Sequence, residues 1–130
     1  MCDPNRLLIC GSRDFSDEKL MRVTLGRYID SLGRPDVIIT GGARGADFMA
    51  ESLAKAMKIP VESYPADWRK YGRRAGPLRN IQMLKEAKPT YVLAFYSGTI
   101  TPGTEHMVSI ATEKNIVALS FGLNQEDSNG

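Results

Sequence analysis

The chain has 130 residues, of which 42% are hydrophobic and 25% are charged, as in an ordinary globular protein with enough apolar residues for a core. This length suits one domain and excludes a second domain of ordinary size. A formal net charge of +2 is too small to indicate nucleic-acid binding, and no segment approaches the ~20 apolar residues needed to cross a membrane.

The cysteine pattern and the N-terminus favour a cytoplasmic protein. Cys2 and Cys10 belong to no CxxC or Cys/His motif, which argues against structural zinc and for a reducing compartment. The first residues contain no apolar signal core. We therefore expect no metal site, no cofactor and no membrane partner.

In chain order, five short apolar runs predict strands at residues 6–10, 37–40, 61–64, 91–95 and 116–119. Ser16 is the predicted N-cap of the first helix, and residues 46–57 carry the clearest helical periodicity. A third helix is expected from Pro77 to just before Pro89, with Leu78, Ile81 and Leu84 on its apolar face. A short fourth helix would carry Met107, Ile110 and Ala111.

Strands that alternate with helices at this spacing predict βαβ units, and hence a parallel sheet covered on both faces. We expect one α/β domain at residues 1–123, with a sheet of about five strands, and a disordered tail at residues 124–130. Ligands of such sheets bind at the carboxyl ends of the strands, where the strand order reverses.

Three unusual turns would meet at that edge: residues 11–14, 41–45 and 97–104. In the second turn, Gly41, Gly42 and Gly45 would let the backbone approach a phosphate, and Arg44 would add a positive charge. An ordinary tight turn explains the same glycines, and a Walker loop is excluded because no Gly-Lys-Ser/Thr follows. Asp47 either interacts with the helix dipole or accepts hydrogen bonds from a ribose.

The other two turns offer donors for an anion. In the first turn, Gly11 is followed by Ser12 and Arg13, which suit a phosphate, although Asp14 and Ser16 could simply turn the chain. In the third, Gly103 and Thr104 begin a helix and form a candidate anion nest. Glu105 is the acid of that turn and the candidate base. His106, the chain's single histidine, has no partner spaced for a catalytic triad.

Residues 65–76 are predicted as a long, aromatic and basic loop. Its aromatic and basic group also contains Arg73. Trp68 or Tyr71 could stack on a base, while Arg74 and the nearby Arg79 could bind phosphate oxygens. A solvated loop with one anchoring tryptophan is the plainer explanation. A nucleic-acid footprint is the less favoured one, because the rest of the chain is nearly neutral.

Four ordered motifs resemble the SLOG superfamily, which is named after the DNA-processing SMF/DprA proteins and the LOG phosphoribohydrolases. They are GSRDFSD, TGGARGAD, YPADWRKYGRRAGPLRN and the PGT turn, and they span about residues 7–119. The small YspA-like branch is the most similar. The resemblance implies a Rossmann-like three-layer sandwich with a nucleotide-type ligand at the sheet edge, and a homodimer, since relatives commonly form dimers.

The resemblance to the LOG enzymes is partial. Their PGG-x-GT turn leads into two glutamates, the first of them two residues after the threonine. Thr104 matches that threonine, but Glu105 follows it directly and His106 takes the place of the first glutamate. Arg79 corresponds to the arginine near the scissile ribose bond. If the protein is an enzyme, the resemblance implies catalytic roles for Arg79 and Glu105.

Three functions remain open on the sequence alone. The first is a domain that senses or sequesters a nucleotide or a nucleotide-derived phosphate, such as a nucleoside monophosphate, ADP-ribose or NAD. The second is a hydrolase that cleaves the N-glycosidic bond of such a ligand. The third is a DNA-binding module that uses the basic segment.

Overall fold

This computed structural model describes residues 4–123, which contain five strands and five α-helices. The strands are β1 (Arg6–Gly11), β2 (Val37–Thr40), β3 (Val61–Ser63), β4 (Tyr91–Ser97) and β5 (Val117–Leu123). The helices are α1 (Glu18–Leu32), α2 (Ala46–Ala56), α3 (Trp68–Tyr71), α4 (Ala75–Gln82) and α5 (Pro102–Glu113). The tail expected at residues 124–130 lies outside the described residues.

The strands form one parallel sheet in the order β3-β2-β1-β4-β5. Leu8, in the central strand, pairs with Ile39 of β2 on one side and with Val92 of β4 on the other. After β1 the chain moves outward to β2 and β3, and then returns to the opposite side of β1 as β4. The strand order therefore reverses between β1 and β4, where a ligand crevice is expected.

Helices cover both faces of the sheet. Alternate residues of β1 point to opposite faces. Leu7 and Ile9 join the apolar cluster under α1 and α2, whereas Leu8 and Cys10 join the cluster under α5 and the π-helical segment that continues α4. This arrangement confirms the predicted α/β fold, a Rossmann-like three-layer sandwich with a five-stranded parallel sheet. None of the helices in residues 4–123 has both the length and the apolar composition to span a bilayer.

The prediction of a loop at residues 65–76 is wrong, because most of this segment is helical. Asp67 caps α3 by accepting a hydrogen bond from the Lys70 backbone N–H at 3.1 Å. A 3-10 turn (Gly72–Arg74) then leads directly into α4. The helical pattern was hidden because these helices are short and α3 buries no residue, so no apolar periodicity marks it.

Two further details of the helices differ from the prediction. Asp17, not Ser16, caps α1, since its side chain accepts from the Leu20 N–H at 3.0 Å. In α4 and its π-helical continuation (Met83–Ala87), Leu78 and Ile81 are exposed. The buried face is formed instead by a small and partly polar set: Ala75, Gly76, Asn80, Met83, Leu84 and Ala87.

The third predicted turn is shorter than expected. β4 continues to Ser97, and α5 begins at Pro102, so Gly103 and Thr104 lie in the first turn of a twelve-residue helix. Thr101 caps this helix, and its hydroxyl oxygen accepts from the Thr104 backbone N–H at 3.4 Å. The turn thus brings the start of α5 to the same sheet edge as the end of β1.

Candidate functional site

A cavity of about 580 Å³ lies at the carboxyl edge of the sheet, beside the point where the strand order reverses. This volume is in the usual range for small-molecule sites. Eight of the predicted site residues line it: Gly11, Ser12, Arg13, Asp47, Trp68, Arg79, Gly103 and Thr104. The other seven do not: Gly41, Gly42, Arg44, Gly45, Tyr71, Arg74 and Glu105.

The end of β1 forms the floor of the cavity. Ser12 is buried; its backbone N–H donates to the Phe95 carbonyl at 2.9 Å, and its Oγ accepts from the Ser97 N–H at 3.2 Å. A Cβ on Gly11 would overlap the Phe95 carbonyl oxygen, so only glycine fits beside β4 here. These contacts fix the backbone of the first turn against β4.

The glycine-rich turn after β2 packs against the first turn. Gly45 has φ +77°, and a Cβ there would collide with the carbonyl oxygens of Ser12 and Arg13. The Ser12 carbonyl also accepts a hydrogen bond from the Ala46 N–H at 3.2 Å. The glycine therefore permits close packing between two turns, and the second turn reaches the cavity through Ala43 and Asp47.

Asp47 is a buried carboxylate with one free oxygen. Its side chain is in the first turn of α2, and the residue is only 4% exposed. Oδ2 accepts a hydrogen bond from the Ala43 N–H at 3.2 Å, whereas Oδ1 has no hydrogen-bond partner within the described residues. Burial raises the pKa of Asp47 to about 6, although the Ala43 N–H and the charge of Arg79 act in the opposite direction.

Arg79 places a positive charge near Asp47 in the lining of the cavity. Its Nη1 donates to the Gly41 carbonyl at 2.6 Å and its Nε to the Asn80 side-chain oxygen at 3.1 Å. Burial lowers the pKa of Arg79 and the nearby Asp47 raises it, yet no direct ion pair joins the two side chains in residues 4–123. An arginine remains charged under such conditions, so the cavity holds a cation beside an unpaired acceptor.

Cys10 lies beneath these two groups. The thiol is buried, and burial, with a smaller contribution from Asp47, raises its pKa far above the usual range. The thiol is therefore neutral and unreactive, which suits packing and not nucleophilic chemistry.

A buried amide links α4 to α5. Asn80 is 5% exposed, and its Nδ2 donates to the Gly103 carbonyl at 3.2 Å and lies 3.1 Å from Nδ1 of His106. Both Asn80 and His106 line the cavity. Glu105, the predicted base, is exposed and lies outside it.

The aromatic and basic segment divides between two pockets. Trp68 and Arg73 line the main cavity, and the Arg13 guanidinium lies 5.2 Å from the centroid of the Trp68 ring. Tyr71 and Arg74 instead line a neighbouring pocket of about 460 Å³. The cavity mouth is thus an exposed indole with arginines beside it.

Arg73, a member of the predicted basic group, also lines the cavity, and eleven further lining residues were not predicted: Cys10, Asp14, Ala43, Gly76, Pro77, Asn80, Met83, Thr101, Pro102, His106 and Met107. Most are apolar or small, and nothing in their type marks them. The position of Asn80, but not its role, could have been found, because it directly follows Arg79 and recurs at helical spacing with the buried Gly76 and Met83.

Comparisons with known proteins show the family of the chain. The sequence profile described as "YspA, cpYpsA-related SLOG family" matches residues 5–71. The "Gene 61 protein" of Mycobacterium phage D29 is 35% identical over 122 residues, which cover 90% of this chain and 96% of that relative. No solved structure matches the chain. The protein belongs to the YspA, cpYpsA-related SLOG family.

Proposed function

We propose that this protein binds a nucleotide or a nucleotide-derived phosphate in the main cavity, as a sensor or sequestering domain. The observation that carries the proposal is the unpaired Oδ1 of Asp47 beside the Arg79 guanidinium, at the position where Rossmann-like sheets bind ligands. Membership of the SLOG family supports a nucleotide-related role of this kind.

Arg79 is the proposed phosphate-binding residue. Two of its three guanidinium nitrogens donate to protein oxygens, which fixes the plane of the group. Nη2 makes no hydrogen bond within the described residues and is the donor available to a phosphate oxygen. A planar, permanently charged donor suits this role better than a lysine would.

Asp47 is the proposed partner of the ribose. A buried carboxylate oxygen without a donor costs free energy, and a sugar hydroxyl would supply the missing hydrogen bond. A phosphate would be repelled by the same oxygen. The pair of Asp47 and Arg79 therefore favours a ligand with hydroxyl groups next to a phosphate, as in a nucleoside monophosphate or ADP-ribose.

Trp68 is the proposed stacking partner of the base. The residue is 48% exposed at the cavity mouth, and its ring already lies against the Arg13 guanidinium. A purine can stack on an indole or a guanidinium plane, and such contacts contribute about 1–3 kcal/mol per base. The phosphate would thus lie deep in the cavity and the base at its mouth.

Hydrolysis of the N-glycosidic bond is a second candidate, and the observation that favours it is again Asp47. Its buried carboxylate could stabilise positive charge developing on the sugar while water adds to the anomeric carbon and the base leaves with a proton. Glu105, exposed and outside the cavity, cannot do this from its present position. Turnover should therefore be lost in Asp47→Asn and kept in Glu105→Gln.

One experiment separates binding from turnover. The protein is incubated with AMP, NAD and ADP-ribose, its melting temperature is recorded, and the products are resolved by chromatography. A ligand at 100 times its dissociation constant should stabilise the fold by about 2.7 kcal/mol. Stabilisation without free base supports the binding domain, and release of base supports the hydrolase. If no ligand raises the melting temperature, the proposed function is wrong.

A further inference from the structure

Two hydrogen-bond partners fix the orientation of the Asn80 side-chain amide, because one of them can only donate and the other can only accept. The Arg79 Nε–H can only donate, so the atom 3.1 Å from it must be the amide oxygen. The Gly103 carbonyl can only accept, so the atom 3.2 Å from it must be the amide nitrogen. Both constraints agree, and the amide nitrogen is therefore the group that faces His106.

This orientation determines the tautomer of the imidazole. The amide nitrogen is a donor without lone-pair capacity, and it lies 3.1 Å from Nδ1 of His106. Nδ1 must therefore accept the hydrogen bond and carry no proton. The neutral ring then bears its proton on Nε2, which is the remaining polar atom of a side chain that lines the cavity.

We infer that His106 contacts the ligand, and that Asn80 holds it in the tautomer that presents Nε2–H as a hydrogen-bond donor to a phosphate oxygen. The inference deepens the proposed function and rests on it. Asn80 is a positioning residue, since it acts through His106 and Arg79.

The same hydrogen bonds connect three walls of the cavity. The Gly41 carbonyl follows β2, Arg79 and Asn80 lie on α4, and Gly103 and His106 lie on α5. The Nη2 of Arg79 and the Nε2–H of His106 are among the donors that this chain of hydrogen bonds leaves for a ligand. Two donors on neighbouring elements suit the several acceptor oxygens of one phosphate.

The tautomer can be measured directly, because the sequence contains one histidine. Protein prepared without a histidine tag and labelled with ¹⁵N gives one imidazole in a long-range ¹H–¹⁵N correlation spectrum. At pH 8 we expect a protonated Nε2 and an unprotonated Nδ1. In Asn80→Asp the variant carboxylate can only accept, so the proton should move to Nδ1. A protonated Nδ1 in the wild-type protein would overturn the inference.

Two substitutions separate the ligand contact from the contact with Asn80. His106→Asn places an amide at the position of Nδ1 and keeps the Asn80 hydrogen bond, but it does not reach as far as Nε2. His106→Gln extends an amide nitrogen to the position of Nε2. Affinity for AMP and for ribose 5-phosphate is followed by the fluorescence of Trp68, the chain's one tryptophan. We expect His106→Asn to weaken both by about tenfold or more, and His106→Gln to bind nearly as wild type.

The outcomes distinguish this inference from the proposed function. If the wild-type protein binds neither probe, the proposed function fails and the ligand contact fails with it. If the wild-type protein binds but both variants bind equally well, or both lose affinity equally, His106 does not donate from Nε2 and the inference is wrong. A loss confined to AMP would place His106 at the base, and would also overturn it.

Discussion

Asp47 is the residue at which stability and the proposed ligand binding oppose each other. The folded chain buries its carboxylate and leaves Oδ1 without a donor, and the pKa consequently rises from 3.8 to about 6. A carboxyl group whose pKa is higher in the folded than in the unfolded chain keeps its proton to a higher pH in the folded state. The contribution of Asp47 to the free energy of unfolding is therefore largest below pH 3.8, and it is lost as the pH rises through about 6.

Asp47→Asn should consequently stabilise the free protein at neutral pH. The amide carries no charge to desolvate, and its oxygen can still accept from the Ala43 N–H. The shift in pKa corresponds to about 3 kcal/mol in full for this group, most of which is lost between pH 4 and pH 7. We expect the variant to exceed the wild-type free energy of unfolding at pH 8 by up to this amount, and by little at pH 4, in urea titrations.

The pH dependence of the difference is the informative quantity. Other groups titrate in both proteins and cancel in the comparison. Wild-type and variant proteins that change in parallel from pH 4 to pH 8 would contradict a raised pKa at Asp47. The same variant should bind ribose 5-phosphate more weakly, because its amide nitrogen cannot accept the hydroxyl hydrogen bond.

At the scale of elements, the site depends on how closely two turns approach each other. The turn after β2 packs on the turn after β1 at Gly45, where any Cβ would meet the carbonyl oxygens of Ser12 and Arg13. The strained φ of +77° adds to this cost for an L residue. The wall of the cavity that carries Asp47 is therefore positioned by backbone packing.

Gly45→Ala should destabilise the protein by about 1–3 kcal/mol, because both the φ angle and the space forbid a methyl group. Gly26→Ala is the matched control: Gly26 lies inside α1, and a Cβ there meets no atom within 4 Å. This change should stabilise by about 0.5–1 kcal/mol, since alanine favours a helix more than glycine. Urea titrations of both variants test the pair; equal effects would refute the close packing.

The basic segment offers a second matched pair. Arg73 lines the main cavity, whereas the adjacent Arg74 lines the neighbouring pocket. Arg73→Ala should therefore weaken AMP binding several-fold through the lost charge, and Arg74→Ala should have little effect. Tryptophan fluorescence titration at constant salt measures both.

Equal losses in both arginine variants would show that the segment acts as a general patch of positive charge. Binding of DNA would then become the better explanation, and its affinity should decrease steeply with salt concentration. An affinity for DNA that does not change with salt concentration would contradict that explanation.

The elements differ in how well the sequence predicts them, for physical reasons. Nearly continuous apolar runs predict β1, β2 and β4, because these strands are buried on both faces. The periodicity of α2 is equally plain because one face is buried. The helix α3 has four residues and no buried side chain, so it depends on the Asp67 cap and not on an apolar pattern.

For the whole molecule, the sequence predicts the sheet edge at which the main cavity lies, and the residues that line the cavity only in part. The alternation of strands and helices leads to a parallel sheet, and the switch point then follows from the strand order. The role of Asn80 could not be predicted, because it requires the distances from α4 to α5. Glu105 was placed in the cavity by sequence position, but the helical rotation of α5 carries it to the exposed side.

Amide mapping can show whether a phosphate-bearing nucleotide occupies the main cavity, as we propose. Titration of ¹⁵N-labelled protein with AMP should shift the backbone signals of Ser12, Ala43 and Thr104, which lie in the turn after β1, the turn after β2 and the first turn of α5 around the cavity. Signals of Tyr71 and Gln82, in the neighbouring pocket, should change little. Shifts confined to that neighbouring pocket, or no shifts at millimolar AMP, would contradict the account.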